Sequence, residues 1–241
     1  MFRLIYVVLM NLFRAPYLLP LMRKMAKGRD KYTEEERYHL CQKSIRWMMK
    51  SGQIETEVYG EEFLPKEGGY VMYPNHQGKY DALGIIYAHK EPCTFVMDKA
   101  KSHTFLVREI VNLIGARRLD IHNVRQGFKI MSDITEDVKK GKKYILFSEG
   151  GYFNNHNRVA QFKPGSFKCV IKAKAPIVPV ALIDSYKPFN SSVMGKIITK
   201  VIFMPPMYYD EYKDMKTVEL AEIVRNRIID EMRKYGVTDN D

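Results

Sequence analysis

Short apolar runs alternate with longer amphipathic stretches from residue 56 onward, and this alternation gives the first picture of the chain. GYVMY (69–73), TFVM (94–97), KYILF (143–147), PIVPVALI (176–183) and KIITKVIF (196–203) are short and rich in β-branched or aromatic residues, the pattern of buried strands. ALGIIYA (82–88) lies between the first two as a helix, and Val124, Phe128, Met131, Ile134 and Val138 recur at helical spacing. Thr217 is placed to cap a last helix running to about Tyr235, with Val218, Ile223 or Val224, Ile228 and Met232 turned inward. The two prolines of PIVPVALI push that run towards a sheet edge or a strand start, because proline gives no N–H to a ladder. Alternating strands and helices imply an α/β fold with a mixed, largely parallel central sheet flanked by helices.

The first 50 residues have a different texture. Thr33-Glu34-Glu35-Glu36 matches a capping box, and the helix it starts runs to about Lys50 with Tyr38, Cys41, Ile45 and Met48 or Met49 along one side. Before it, Leu4 to Phe13 is apolar except for Asn11, but Arg14 stops the run and Pro16 and Pro20 interrupt the next one. A transmembrane helix needs roughly 20 predominantly apolar residues, so the segment is too broken for a clean span, and it lacks a signal-peptide cleavage site. Arg23, Lys24, Lys27, Arg29 and Lys31 follow at once, as where a chain leaves an apolar phase beside anionic lipid. A monotopic or re-entrant membrane anchor is therefore expected, in preference to a core-packed helix or a true span. The chain divides into residues 1–50, an N-terminal membrane-associated helical segment, and residues 51–241, a single domain without repeats or low-complexity linkers.

Charge and cysteine content narrow the choice of partner. The 241 residues carry a formal charge of +11, which implies an anionic partner. The basic residues are scattered and no nucleic-acid motif accompanies them, so nucleic acid is not expected and an anionic membrane surface or a phosphorylated substrate is. Cys41, Cys93 and Cys169 form no CxxC pair, so neither a disulfide framework nor a metal site is indicated, and a reducing cytoplasmic setting is the simpler reading.

Two stretches sit where α/β sheets meet their ligands, just past the carboxyl ends of strands. In the first, YPNHQGKYD (73–81), His76 and Asp81 are five residues apart. On a continuous helix they would diverge by about 140°. They meet if His76 lies in the loop and Asp81 in the first helical turn, where the carboxylate fixes one ring nitrogen and leaves the other to take a proton. No serine or cysteine lies beside the pair in sequence, so the hydroxyl to be activated belongs to the substrate. In the second, SEGGYFNNHNRVAQFKPGSFK (148–168), Glu149, Gly150 and Gly151 put an acid and exposed amides at a strand end, with Arg158, Lys163 and Lys168 after them. Amides and bases around a glycine turn suit a phosphate.

Taken together and in order, Asn75-His76…Asp81, FSEGG (147–151) with FKPGSF (162–167), and APIVPVALI (175–183) resemble the blocks of the glycerolipid acyltransferase family, specifically the bacterial 1-acyl-sn-glycerol-3-phosphate acyltransferases. The resemblance covers roughly residues 56–206. It implies that His76 and Asp81 are catalytic, that Asn75, Lys99, Glu149, Gly150, Gly151, Arg158 and Lys163 bind substrate, and that neither cofactor nor metal is required. The implied partners are lysophosphatidic acid, an acyl-CoA or acyl-carrier protein, and an anionic membrane surface, at the cytoplasmic face of the cell membrane. Transfer to the sn-2 hydroxyl would give phosphatidic acid; glycerol-3-phosphate or another lysophospholipid as acceptor, or a catalytically silent lipid-binding protein, are the alternatives. The sequence also departs from the pattern: Ser148 replaces a proline, Gly151 a threonine, and Tyr152 stands where arginine is frequent. A further family block, matched loosely by GARRLDIHNVR (115–125), ends in an arginine where this chain has Ile121, and Arg117, Arg118 and Arg125 lie near that position.

Overall fold

The computed structural model describes residues 2–238 except residues 121, 154 and 194, and Ile121 therefore lies outside the described residues. Among the described residues, seven strands form one sheet: β1 (Ile54–Tyr59), β2 (Val71–Pro74), β3 (Cys93–Asp98), β4 (Arg117–Leu119), β5 (Lys143–Ile145), β6 (Ile177–Ile183) and β7 (Ile197–Phe203). Their order is β1-β7-β6-β2-β5-β3-β4, with every pairing parallel except the antiparallel β6–β7 pair. The mixed, mostly parallel α/β sheet expected from the sequence is present. Its parallel core sends the carboxyl ends of β2, β3, β5 and β6 to one edge.

Both faces of the sheet are covered. One carries α1 (Phe2–Met10), α2 (Ala15–Lys27), α3 (Glu34–Gly52), α4 (Asp81–Ala88) and α5 (Val107–Leu113), which close over Met72, Phe95, Ile145, Val178, Val180 and Leu182. The other carries α6 (Val124–Lys139), α7 (Lys168–Ala173) and, after α8 (Lys187–Asn190) and α9 (Tyr209–Tyr212), the last helix α10 (Thr217–Lys234). These pack on Val71, Tyr73, Tyr144, Leu146, Ala181 and Ile183. The alternation Val71, Met72, Tyr73 thus feeds the two cores in turn, as the two-residue repeat of a strand requires. Each such fully buried side chain contributes about 1.5–3 kcal/mol.

Several elements differ from their sequence reading. β6 is an interior strand, buried at all seven positions, although its prolines pointed to an edge. Pro179 is tolerated because the β7 ladder begins one residue later, at the pair Val180–Phe203. Only the Pro179 carbonyl is used opposite Met204, accepting its N–H at 3.0 Å. Thr217 does not cap α10: it is the first helical residue, Lys216 precedes it, and no side chain bonds the cap. Val218 is exposed, and Leu220, Ala221, Val224, Ile228 and Met232 form the inward stripe. The capping box before α3 is present, with Thr33 Oγ1 accepting from Glu36 N and Glu36 Oε2 accepting from Thr33 N.

The N-terminal segment is both core-packed and exposed. Val7, Met22 and Met25 are buried in the same cluster as Tyr38, Cys41 and Ile45, and Arg23 pairs with Glu109 at 2.9 Å. Position 50 therefore marks no break in packing. On the outer side Phe2, Ile5, Tyr6, Leu9, Leu12, Phe13 and Tyr17 are each more than half exposed. No single described helix is long and apolar enough to cross a membrane; α1 and α2 meet that measure only together, bent by 43° at their junction.

Candidate active site

The His76 loop is built by replacing strand backbone with side chains. β2 ends at Pro74, and the Asn75 amide then continues the pairing with β6: Nδ2 donates to Leu182 O at 3.0 Å and Oδ1 accepts from Leu182 N at 2.7 Å. Asn75 is fully buried with its amide bonded to Leu182, and it holds the loop. Gln77 ties the same turn down, donating to Leu182 O at 2.7 Å and to Asn157 Oδ1 at 3.0 Å. At Gly78 a Cβ would lie 2.7 Å from Asn190 Oδ1, so any larger residue would have to displace the Asn190 side chain where the turn passes α8.

This turn brings the two catalytic candidates together. Asp81 is the first residue of α4 and His76 precedes the helix, the arrangement that the five-residue spacing requires. The buried Asp81 Oδ2 accepts from His76 Nδ1 at 2.7 Å, from Gln77 N at 2.6 Å and from Gly78 N at 2.8 Å. Two backbone amides at a helix N-terminus thus hold the carboxylate in place. With Nδ1 donating, Nε2 carries the lone pair. The imidazole is stacked on Phe147 at 4.1 Å and meets the edge of Tyr152 at 4.9 Å. Sequence reasoning missed both rings as partners; Tyr152 stood out only as a departure from the family pattern.

Glu149 takes a different place from the one expected. Its Oε1 accepts from His76 N at 2.9 Å and its Oε2 from Asn155 Nδ2 at 3.3 Å, so the carboxyl braces the histidine backbone. Burial pushes its pKa up to about 7, against the pull of the His76 and Ala160 amides, with the Asp81 charge adding to the rise. Gly150 has φ +78°, and a Cβ there would sit 2.3 Å from Lys163 Nζ: the glycine makes room for that ammonium. The Gly150 N–H is spent on Phe147 O at 3.2 Å, whereas that of Gly151 has no partner among the described residues. Ser148, in place of the family's proline, is buried and shares a 2.8 Å hydrogen bond with Ser166, tying the FSEGG and FKPGSF stretches together.

The remaining candidates spread around this edge. Lys99 is exposed just past β3. Arg158 makes no described contact with the dyad and is among the residues that line a cavity of about 290 Å³ against α10, with Arg225 and Arg233. Arg117 is engaged by Asp133, Asp137 and Tyr144, Arg118 by Ser102 and Asn112, and Arg125 is exposed on the first turn of α6.

The acyltransferase family model matches residues 55–183, more than half of the chain and the span that holds His76, Asp81 and Glu149. The chain belongs to the acyltransferase family. Within that family it is 28% identical over 192 residues to the 1-acyl-sn-glycerol-3-phosphate acyltransferase of Saccharomyces cerevisiae, covering 76% of this chain and 61% of that protein. To the probable 1-acyl-sn-glycerol-3-phosphate acyltransferase of Mycoplasma genitalium it is 26% identical over 198 residues, covering 76% and 72%. The crystal structure of the 1-acyl-sn-glycerophosphate (LPA) acyltransferase from Thermotoga maritima superposes with a TM-score of 0.71 over 94% of this chain and 95% of that one, at 18% identity, a likeness of fold. The acyltransferase blocks thus lie on an acyltransferase fold, with the His–Asp pair at the carboxyl edge of its sheet.

Proposed function

We propose that this acyltransferase moves an acyl group from the thioester of acyl-CoA or acyl-carrier protein to the sn-2 hydroxyl of 1-acyl-glycerol-3-phosphate, giving phosphatidic acid. The observation that carries the reading is the hydrogen bond from His76 Nδ1 to the buried Asp81, which leaves Nε2 as a base. No serine or cysteine is among the described contacts of the imidazole, so the nucleophile comes with the substrate. Nε2 takes the proton of the sn-2 hydroxyl as its oxygen attacks the thioester carbonyl. Asp81 stabilises the imidazolium that forms. The Lys99 ammonium and the Gly151 N–H are the candidate donors to the tetrahedral oxyanion. As the intermediate collapses, the carbon–sulfur bond breaks and the imidazolium proton neutralises the departing thiolate. The names of the relatives support the acceptor.

The site works at a membrane surface in this reading. Arg3 binds the carbonyls of Val193 and Gly195 at 2.8 Å each, just before β7 begins, which sets α1 at the same sheet edge as the carboxyl end of β6 and so as His76. The exposed apolar side of α1 and α2 then enters the lipid interface as a monotopic or peripheral anchor, and the basic stretch 23–31 faces anionic headgroups at the cytoplasmic side. An acceptor with a long acyl chain reaches the dyad without leaving the bilayer.

Thiol release from acyl-CoA, measured with and without lysophosphatidic acid, tests the proposal. Release that depends on lysophosphatidic acid is expected. Equal release without an acceptor indicates a thioester hydrolase, and release only with glycerol-3-phosphate or another lysophospholipid moves the acceptor.

A further inference from the structure

The proposed acceptor carries a phosphate, and of the arginines that the sequence offered for it three line another cavity or are engaged, while Arg125 is exposed on the first turn of α6. Arg158 lines the cavity against α10, Arg117 is held by two aspartates and Tyr144, and Arg118 is bound to Ser102 and Asn112. Tyr152 stands where the resembled family often has arginine and brings no charge of its own. It brings a cation to the site in another way: the Lys101 ammonium stands over its ring, 5.4 Å from the centre, and the edge of the same ring meets the His76 imidazole at 4.9 Å. We propose that Lys101 binds the phosphate of the acceptor, with the Tyr152 ring as the spacer that sets its distance from His76.

The turn that carries Lys101 is constructed for a fixed position. Asp98 Oδ1 accepts from Lys101 N at 3.0 Å, so its carboxylate caps the backbone of the turn. Ser102 is fully buried; its hydroxyl donates to Lys99 O at 2.6 Å and accepts from Arg118 Nε at 3.0 Å. Arg118 therefore serves the site by bracing the turn that presents a lysine. The Asn190 side chain, which accepts the N–H of Lys79 at 3.0 Å, lies near the Tyr152 hydroxyl and ties the Tyr152 side of the site to the His76 loop.

The spacing fits the ligand. The two ring distances place the ammonium within about 10 Å of the imidazole centre, and an acceptor lying alongside the Tyr152 ring spans that distance: its sn-2 oxygen and a phosphate oxygen are five single bonds apart, about 6 Å when extended, with a hydrogen bond of about 2.8 Å at each end. A compact ammonium with three donors suits the phosphate oxygens without demanding one orientation of the headgroup. An acceptor lacking the phosphate would reach His76 but leave Lys101 unused.

Because the role of Lys101 rests on the acyl transfer proposed above, binding and turnover are read separately. The full-length wild type, Lys101→Met and Lys101→Arg are compared in mixed detergent micelles for binding of lysophosphatidic acid and of 1-acylglycerol, which lacks the phosphate, together with steady-state kinetics. Lys101→Met is expected to weaken lysophosphatidic acid binding and raise its KM about tenfold, about 1.4 kcal/mol, with kcat within about threefold and 1-acylglycerol binding unchanged. Lys101→Arg is expected to keep most of the wild-type affinity. Equal lysophosphatidic acid binding by wild type and Lys101→Met, or an equal loss for 1-acylglycerol, overturns the assignment. A wild type whose lysophosphatidic acid binding depends on Lys101 but which transfers no acyl group supports the phosphate site and overturns the acyl-transfer reading.

Discussion

Replacing Glu149 by glutamine changes how the stability of this acyltransferase depends on pH. Glu149 is only 5% exposed, and its carboxyl pKa is about 7 where an ordinary glutamate has 4.5. That difference corresponds to about 3 kcal/mol in favour of the protonated form in the folded protein. A raised carboxyl pKa means that the folded protein holds its proton more tightly than the unfolded chain. The stabilisation is therefore complete below pH 4.5, is lost as pH rises towards about 7, and is absent above that. Glutamine has no such proton, while its carbonyl oxygen can still accept from His76 N. The stability of Glu149→Gln minus that of the wild type should thus rise by about 3 kcal/mol between pH 4.5 and 7.5. His89 works in the opposite direction in both proteins: burial lowers its pKa to about 4, so its contribution is present above 6.5 and lost as pH falls towards 4. Taking the difference between variant and wild type removes it. Urea unfolding of both proteins at four or five pH values gives the curve. A difference that stays flat with pH, or moves in favour of the wild type as pH rises, refutes the reasoning.

Two further outcomes follow from the site and the surface. Asp81→Asn removes a carboxylate that accepts from His76 Nδ1 and two backbone amides, so kcat for acyl transfer should fall by about 10²–10⁴-fold with a smaller change in KM; a loss confined to KM, seen in steady-state kinetics, argues against its role in holding the base. Replacing the exposed Phe2, Leu9 and Phe13 together by serine should reduce co-sedimentation with anionic vesicles while shifting the urea midpoint little, because none of the three is buried; unchanged sedimentation removes the anchor from the account. Deleting residues 1–30 is the poorer probe, since it also takes Val7, Met22 and Met25 out of the core.

The sheet was largely legible because its central strands are apolar throughout and depend little on context. What escaped was polar or short. β1 reads IETEVY, with Glu55 and Glu57 interrupting the apolar pattern of an edge strand, and β4 is three residues that include two arginines. The position of β6 was misjudged because a proline excludes one N–H from a ladder but does not say whether a partner stands opposite it. In the site, the His76–Asp81 spacing was readable because both residues lie within one turn. Glu149 was read as a substrate contact because it sits beside two glycines; its actual partner, His76 N, depends on β2 and β5 being neighbours. The place of Arg158 beside α10 and the contacts of Tyr152 with Lys101 and His76 are likewise set by packing between segments far apart in the chain.

The central claim is that His76 removes the proton of a lipid hydroxyl, and it is tested most directly by phosphatidic acid formation from lysophosphatidic acid and labelled acyl-CoA in wild type and His76→Ala. Alanine leaves the backbone hydrogen bond to Glu149 available and removes only the partly exposed ring, so the urea midpoint should stay close to that of the wild type. The account predicts that product formation then falls by about 10²–10⁴-fold or more. A folded His76→Ala protein that makes phosphatidic acid at a rate comparable to the wild type contradicts it.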